Sequence, residues 1–202
     1  MELWLRTNEH EEAISALEMV AEASALVLKD NYRWKWVLIA THNVLQGFMV
    51  LALRRGNGLK TLKDKIAVKW LKAYSEGGAY PKEELDTFLN LYKKVKSEQM
   101  IYLVHSQPFT ANGNHDKSVK KLNSFRNEFI HFVPKSWSLE LTGLPGICLD
   151  CLEVVEFLGW QSGNVPWYKK QHKERAEIAL KKAILNLEYA KNNYEKAVNK
   201  AN

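Results

Sequence analysis

The sequence has 202 residues, of which 46% are hydrophobic and 26% are charged. This composition excludes a disordered chain, and the length is enough to bury the core of one domain. The 29 basic and 23 acidic side chains give a formal net charge of +6, which suits an acidic partner such as a nucleic acid. Charged side chains interrupt any apolar run near the N-terminus, so we predict no signal peptide and expect a cytoplasmic protein.

The first quarter of the chain predicts two antiparallel helices. Residues 9–29 have apolar side chains at helical spacing after Asn8, which is a suitable N-cap. Residues 32–54 follow a short turn and are apolar nearly all round from Val37 to Leu53. A membrane span needs about 20 apolar residues, and this run is shorter and contains His42. We therefore expect a buried central helix and no membrane partner.

Two interpretations of His42 remain open. His42 and Gln46 lie one helical turn apart and could form a buried polar pair, or they could reach a functional cleft. Of these interpretations, we favour a histidine in the core.

The most basic stretch, residues 60–72, contains five lysines and one acid. Lys63 and Lys69 could follow the phosphate backbone of a nucleic acid, or they could lie on a solvated basic face. A modest apolar side predicts a short helix that ends at a pair of glycines. Proline is favoured in the first turn of a helix, so another helix is predicted from Pro81, with a continuation as far as Val104.

Residues 105–117 are polar and rich in turn formers, which predicts a loop. His105, Phe109 and His115 in this loop could contact a ligand. Farther along, Cys148 and Cys151 share one predicted helix. A zinc site needs four ligands and a redox pair usually follows a strand, so we expect buried, reduced cysteines and no metal.

Residues 160–202 predict a linker and a long C-terminal helix that runs from about His172 to Asn199. An apolar stripe broken by Lys191 runs along this helix. The helix could pack along the domain as an accessory element, or it could pack against a second copy of the chain. Packing along the domain is the commoner arrangement.

The segment from Asp116 to Pro134 predicts a helix with two contrasting faces. Its apolar stripe contains Leu122, Phe125, Phe129 and Phe132. The opposite arc, about 140° wide at helical spacing, contains Lys120, Asn123, Arg126, Asn127 and His131. Asp116 or Ser118 could cap the start, and Pro134 should end the helix with His131 in its last turn. The arc is either a solvated face or a functional one.

The order Arg126, Asn127, three residues, His131 resembles the Arg-polar-x-x-x-His motif of the HEPN superfamily. Members of that superfamily are all-helical domains, and many are metal-independent ribonucleases. The resemblance implies that residues 1–202 form a single all-α, HEPN-like helical bundle. It also implies a homodimer in which two copies of the motif form one cleft. The matching residues cover a small part of the chain.

The resemblance further implies an endoribonuclease that cleaves single-stranded or loop RNA to 2′,3′-cyclic phosphate ends, as a toxin or defence effector. Arg126 would stabilise charge on the phosphate, His131 would transfer protons, and Asn127 would orient that ring or bind a phosphate oxygen. Lysines expected to hold RNA are Lys63, Lys69, Lys120 and Lys121. No cofactor is expected, whereas an antitoxin or another protein partner is. The alternative is a non-catalytic, HEPN-like module that binds RNA or nucleotide, or a helical interaction protein.

Overall fold

The computed structural model describes residues 3–131, 134 and 136–201, and this part of the chain is all-helical. Its α-helices are α1 (Glu9–Ser24), α2 (Arg33–Leu53), α3 (Asp64–Glu76), α4 (Phe88–Val95), α5 (His115–Ile130), α6 (Leu144–Glu156) and α7 (Lys170–Ala201). A π-helical turn, Phe157–Gln161, extends α6. The prediction of an all-α bundle with a long C-terminal helix is confirmed.

Helix α2 forms the centre of the bundle, and α1, α4, α5 and α6 pack around it. By length and hydropathy alone α2 could cross a membrane, but 67% of its most apolar window is buried against the rest of the protein. Its largest buried side chains, Trp34 and Phe48, are almost fully inaccessible. The prediction of a buried central helix is confirmed.

Helix α1 begins where the sequence predicts. The Asn8 side-chain oxygen accepts hydrogen bonds from the backbone N–H groups of His10 and Glu11, each at 3.0 Å. These bonds satisfy two of the donors that a helix leaves free at its start. The helix ends at Ser24, five residues before the predicted end at residue 29.

The helix predicted from Pro81 is present but starts seven residues later, at Phe88, because residues 81–87 turn back towards the segment that precedes α3. The backbone N–H of Lys63 donates to the backbone oxygen of Glu84 at 3.0 Å. The backbone N–H of Asp86 donates to the backbone oxygen of Thr61 at 2.9 Å. These long-range bonds replace the helical ones. Helix α4 then begins at Phe88 and ends at Val95, well before Val104.

A buried lysine of α4 joins that helix to the start of α3 and to the segment before α4. Lys94 is 5% exposed, and its ammonium group lies 2.7 Å from Asp86, 2.8 Å from Asp64 and 2.6 Å from the backbone oxygen of Leu62. Burial lowers the pKa of Lys94, but the hydrogen bonds to the two carboxylates outweigh burial and the net direction is upward. Lys94 is therefore charged at neutral pH and holds α3 against the bundle.

Helix α7 packs along α1 and α6 of the same chain. Ala183 and Leu187 on its inner face are fully buried. Arg175 donates to the carboxylates of Glu11 and Glu18 at 2.9 Å. Of the two arrangements left open by the sequence, the structure has the helix along its own chain.

Candidate functional site

Helix α5 carries the Arg-polar-x-x-x-His sequence and begins at His115, ahead of both predicted caps. Asp116 and Ser118 do not cap it, because their side chains bind neighbouring helices. The Asp116 carboxylate accepts a hydrogen bond from Lys96 at 2.6 Å, and the Ser118 hydroxyl donates to Asp150 at 2.5 Å. Both residues therefore fix the position of α5 in the bundle.

The apolar side of α5 faces the core, as predicted. Leu122 is fully buried, and Phe125 and Phe129 are half-buried against the core. The ring centroid of Phe129 lies 4.9 Å from that of Trp137. The fourth residue of the predicted stripe, Phe132, lies outside the described residues.

His131 is the first residue after α5 and not part of its last turn, which corrects the prediction. Its backbone has φ −89° and ψ 75°, outside the helical region. Its backbone N–H still donates to the backbone oxygen of Asn127 at 2.9 Å. The side chain is exposed. Among the described residues, no contact joins its imidazole to Arg126 or Asn127. The imidazole is therefore tethered through its backbone and open to solvent.

Arg126 is half-buried and is held by its neighbour. Its Nη1 donates to the Asn127 side-chain oxygen at 3.1 Å. Its Nε is buried and has no hydrogen-bond partner within the described part of the chain. A buried donor left without an acceptor costs about 1–3 kcal/mol. Because Nε is itself buried, an acceptor from a ligand can reach it only if the side chain moves.

His42 reaches this arc from the core. Its Nε2 lies 3.2 Å from the side-chain oxygen of Asn123, and its ring stacks on Phe88 with centroids 3.9 Å apart. His42 is 2% exposed, so the prediction of a core histidine is confirmed. The predicted pair with Gln46 is wrong, because Gln46 lines a groove between α1 and α2.

His42 is neutral at pH 7. Burial lowers its pKa from 6.5 to about 4, the hydrogen bond with Asn123 opposes this, and the positive charge of Arg126 adds to it. Because Nε2 faces an amide oxygen, Nε2 must carry the proton of the neutral ring. Nδ1 is then a bare acceptor, and it has no partner among the described residues.

The lysines predicted to hold RNA lie on two separate elements. Lys120 and Lys121 are exposed on α5, and Lys69 is exposed on α3. Lys63 precedes α3, and its ammonium group forms an ion pair with Glu84 at 2.6 Å. In the described part of the chain, no contact joins the lysines of α5 to those near α3. Of the four lysines predicted to bind RNA, three are therefore exposed and the fourth, Lys63, is paired with Glu84.

Two residues of the 105–117 segment have structural roles. His115 is buried, accepts from the backbone N–H of Asn112 at Nδ1, and donates from Nε2 to Glu153 at 2.9 Å. Phe109 is also buried, with its ring edge-to-face against His115. Neither side chain is available to stack on a base. His105 is exposed.

The cysteines are buried and reduced, as expected. Cys148 and Cys151 are fully inaccessible on α6. Burial raises the pKa of the Cys148 thiol to about 12, so the reactive thiolate is scarce at neutral pH. Within the described residues, no group of three or more His, Cys, Asp or Glu side chains could hold a metal ion.

A groove of about 760 Å³ lies between α1 and α2. Its lining includes the half-exposed Met19 and Trp36. The motif residues of α5 do not line it. Substrate at the motif would therefore lie on an open arc of α5, outside this groove.

We predict that His42 makes the fold sensitive to acid. Its pKa is lower in the folded protein than in the unfolded chain, so the unfolded chain binds more protons between about pH 6.5 and pH 4. As the pH is lowered from about 6.5 to about 4, protonation of His42 alone should reduce the free energy of unfolding by up to about 3 kcal/mol. Urea unfolding at a series of pH values should show a shallower pH dependence in His42→Gln than in the wild type. Equal slopes in the two proteins would contradict the assignment.

Comparison of the chain with models of protein families, with curated proteins and with solved structures finds no match. Function must therefore be inferred from the residues and geometry of the site.

Proposed function

We propose that this chain is a HEPN-type, metal-independent endoribonuclease that cleaves single-stranded or loop RNA in the cytoplasm, as a toxin or defence effector. The observation that carries the proposal is the arrangement at the end of α5. There, Arg126 is held by Asn127 and has a buried donor without an acceptor, while His131 is exposed just beyond the helix. A fixed cation five residues before an accessible imidazole suits cleavage at a phosphodiester.

The proposed reaction uses the RNA as its own nucleophile. A base removes the proton of a 2′-hydroxyl, and the 2′-oxygen attacks the adjacent phosphorus. The bond from phosphorus to the 5′-oxygen breaks, and an acid protonates that oxygen. The products are a 2′,3′-cyclic phosphate and a 5′-hydroxyl. Arg126 stabilises the extra negative charge at phosphorus, and His131 carries one of the protons.

Removing the imidazole should stop cleavage and largely spare binding. We expect His131→Ala to lower the cleavage rate of a labelled RNA by about 10²–10⁴-fold, the usual contribution of general acid–base catalysis. Arg126→Ala should weaken both cleavage and binding, because it removes charge from the phosphate site. Ser124→Ala, at an exposed position of the same helix, is the control and should cut at the wild-type rate.

The same assay tests the reaction type. Cleavage should persist in EDTA, leave a 2′,3′-cyclic phosphate and fail on a 2′-deoxy substrate. Cleavage that stops in EDTA and returns with magnesium would overturn the mechanism, as would equal cutting of DNA.

Exposed lysines should bind RNA through phosphates. Removing one lysine that binds a phosphate should reduce the slope of log affinity against log salt by about 0.7 for a single strand. We expect charge reversal at Lys69, Lys120 or Lys121 to weaken binding with this change in slope, and at Lys63 to act less because Glu84 already pairs with it. Lys182→Glu, at an exposed position of α7, is the control. Unchanged affinity and slope in a Lys63→Glu, Lys69→Glu double variant would make residues 60–72 a solvated face.

A symmetric homodimer should form, with the two copies of α5 near its axis. One chain brings a single accessible histidine, His131, to the arc because His42 is buried, whereas the reaction needs both a base and an acid. Two copies would supply both. Light scattering at micromolar concentration should give twice the mass of the chain, and a strictly monomeric mass would count against this arrangement.

A non-catalytic module that binds RNA or nucleotide is the second candidate. The observation that favours it is the imidazole of His131, which no described residue orients. Such a module would bind RNA in the salt-dependent way given above, and it would leave labelled RNA intact at every protein concentration. A helical interaction protein would do neither.

A further inference from the structure

Three polar side chains of α5 lie together, and the two asparagines among them use their oxygen atoms inside the protein. Asn123, Arg126 and Asn127 are at positions i, i+3 and i+4, so they are neighbours on one helix face. The oxygen of Asn123 accepts from His42 at 3.2 Å, and the oxygen of Asn127 accepts from Arg126 at 3.1 Å. Both acceptor groups of this face are therefore used inside the protein.

What the face can still offer is a set of donors. No hydrogen bond within the described residues involves the amide nitrogen of Asn123 or Asn127, and the half-buried Arg126 donates only from Nη1. A ligand at this face would meet N–H groups and a positive charge. A group that only accepts hydrogen bonds and carries negative charge, such as a phosphate, is complementary to them.

We infer that Asn123 is a phosphate-binding residue of the Arg126 site and that His42 is the positioning residue that holds it. This inference rests on the proposed function for its ligand, an RNA phosphodiester. It adds two residues that lie outside the Arg-polar-x-x-x-His sequence, one of them on another helix.

In the structure, His42 faces the amide oxygen of Asn123. A neutral ring with its proton on Nε2 donates to that oxygen, and this arrangement turns the amide nitrogen away from the core. Stacking on Phe88 fixes the plane of the ring. The core thereby sets which end of the Asn123 amide faces the ligand.

The test measures binding of a fluorescent 2′-O-methyl oligoribonucleotide, which cannot be cleaved because its 2′-oxygen is blocked. Asn123→Asp keeps the oxygen that faces His42 and replaces the outward N–H₂ with a negatively charged oxygen. Affinity should fall by at least about tenfold, the usual cost of removing a hydrogen bond to a charged group. Ser124→Asp adds the same charge at the next residue, which is exposed, and should lower affinity much less.

Variants of His42 test the positioning role. His42→Phe keeps an aromatic ring against Phe88 but cannot donate to Asn123, so affinity should fall. His42→Gln can donate from its amide nitrogen and should restore much of the wild-type affinity. A purely structural role would change thermal stability in these variants and leave the affinity of the folded protein unchanged.

Each outcome supports or overturns the inference. Equal losses of affinity in Asn123→Asp and Ser124→Asp would show a general charge effect and overturn it, as would no binding of the oligonucleotide by the wild type. Binding that depends on Asn123, in a protein that never cleaves RNA, would support the inference and reject the ribonuclease. Cleavage that is unaffected by these variants would support the ribonuclease and reject the inference.

Discussion

The structure depends on the burial of α2, a helix that is apolar nearly all round. A surface of that kind must be covered on every side, so the other helices are arranged around it. Thr41 and His42 are buried polar residues on this surface, and a buried imidazole needs a polar partner. Asn123 supplies one from α5. This hydrogen bond, together with the burial of Leu122, fixes which side of the motif helix faces the core.

Local patterns were enough to predict much of the fold. The apolar run from Val37 to Leu53 indicated the burial of α2, and helical periodicity indicated the inner side of α5, because both depend on residues that are neighbours in the sequence. The predicted helix start at Pro81 was wrong because residues 81–87 depend on contacts that are distant in the sequence. These residues form backbone hydrogen bonds with a segment about 20 residues earlier, and a local preference for helix does not register such pairing.

In the candidate site, too, the sequence revealed local relations between residues and missed a long-range contact. The spacing of Arg126 and Asn127 was sufficient to place them on one face of α5, whereas His131, predicted for the last turn, lies just after the helix end. The contact of His42 with Asn123 joins residues 81 positions apart, so no spacing rule could reveal it. A single histidine within an apolar helix was the available signal, and it showed that a partner was needed without showing which residue it was.

The buried charge of Lys94 has a consequence for how the protein opens. Helix α3 belongs to a small apolar cluster of its own, separate from the main core, and is tied to the bundle by that ammonium group. Swinging α3 away would leave a cation in an apolar environment with fewer of its carboxylates, which is costly. Detachment of α3 would remove Asp64 from the ammonium group and leave Asp86 as its carboxylate partner, so the ion pair with Asp64 disfavours partial detachment.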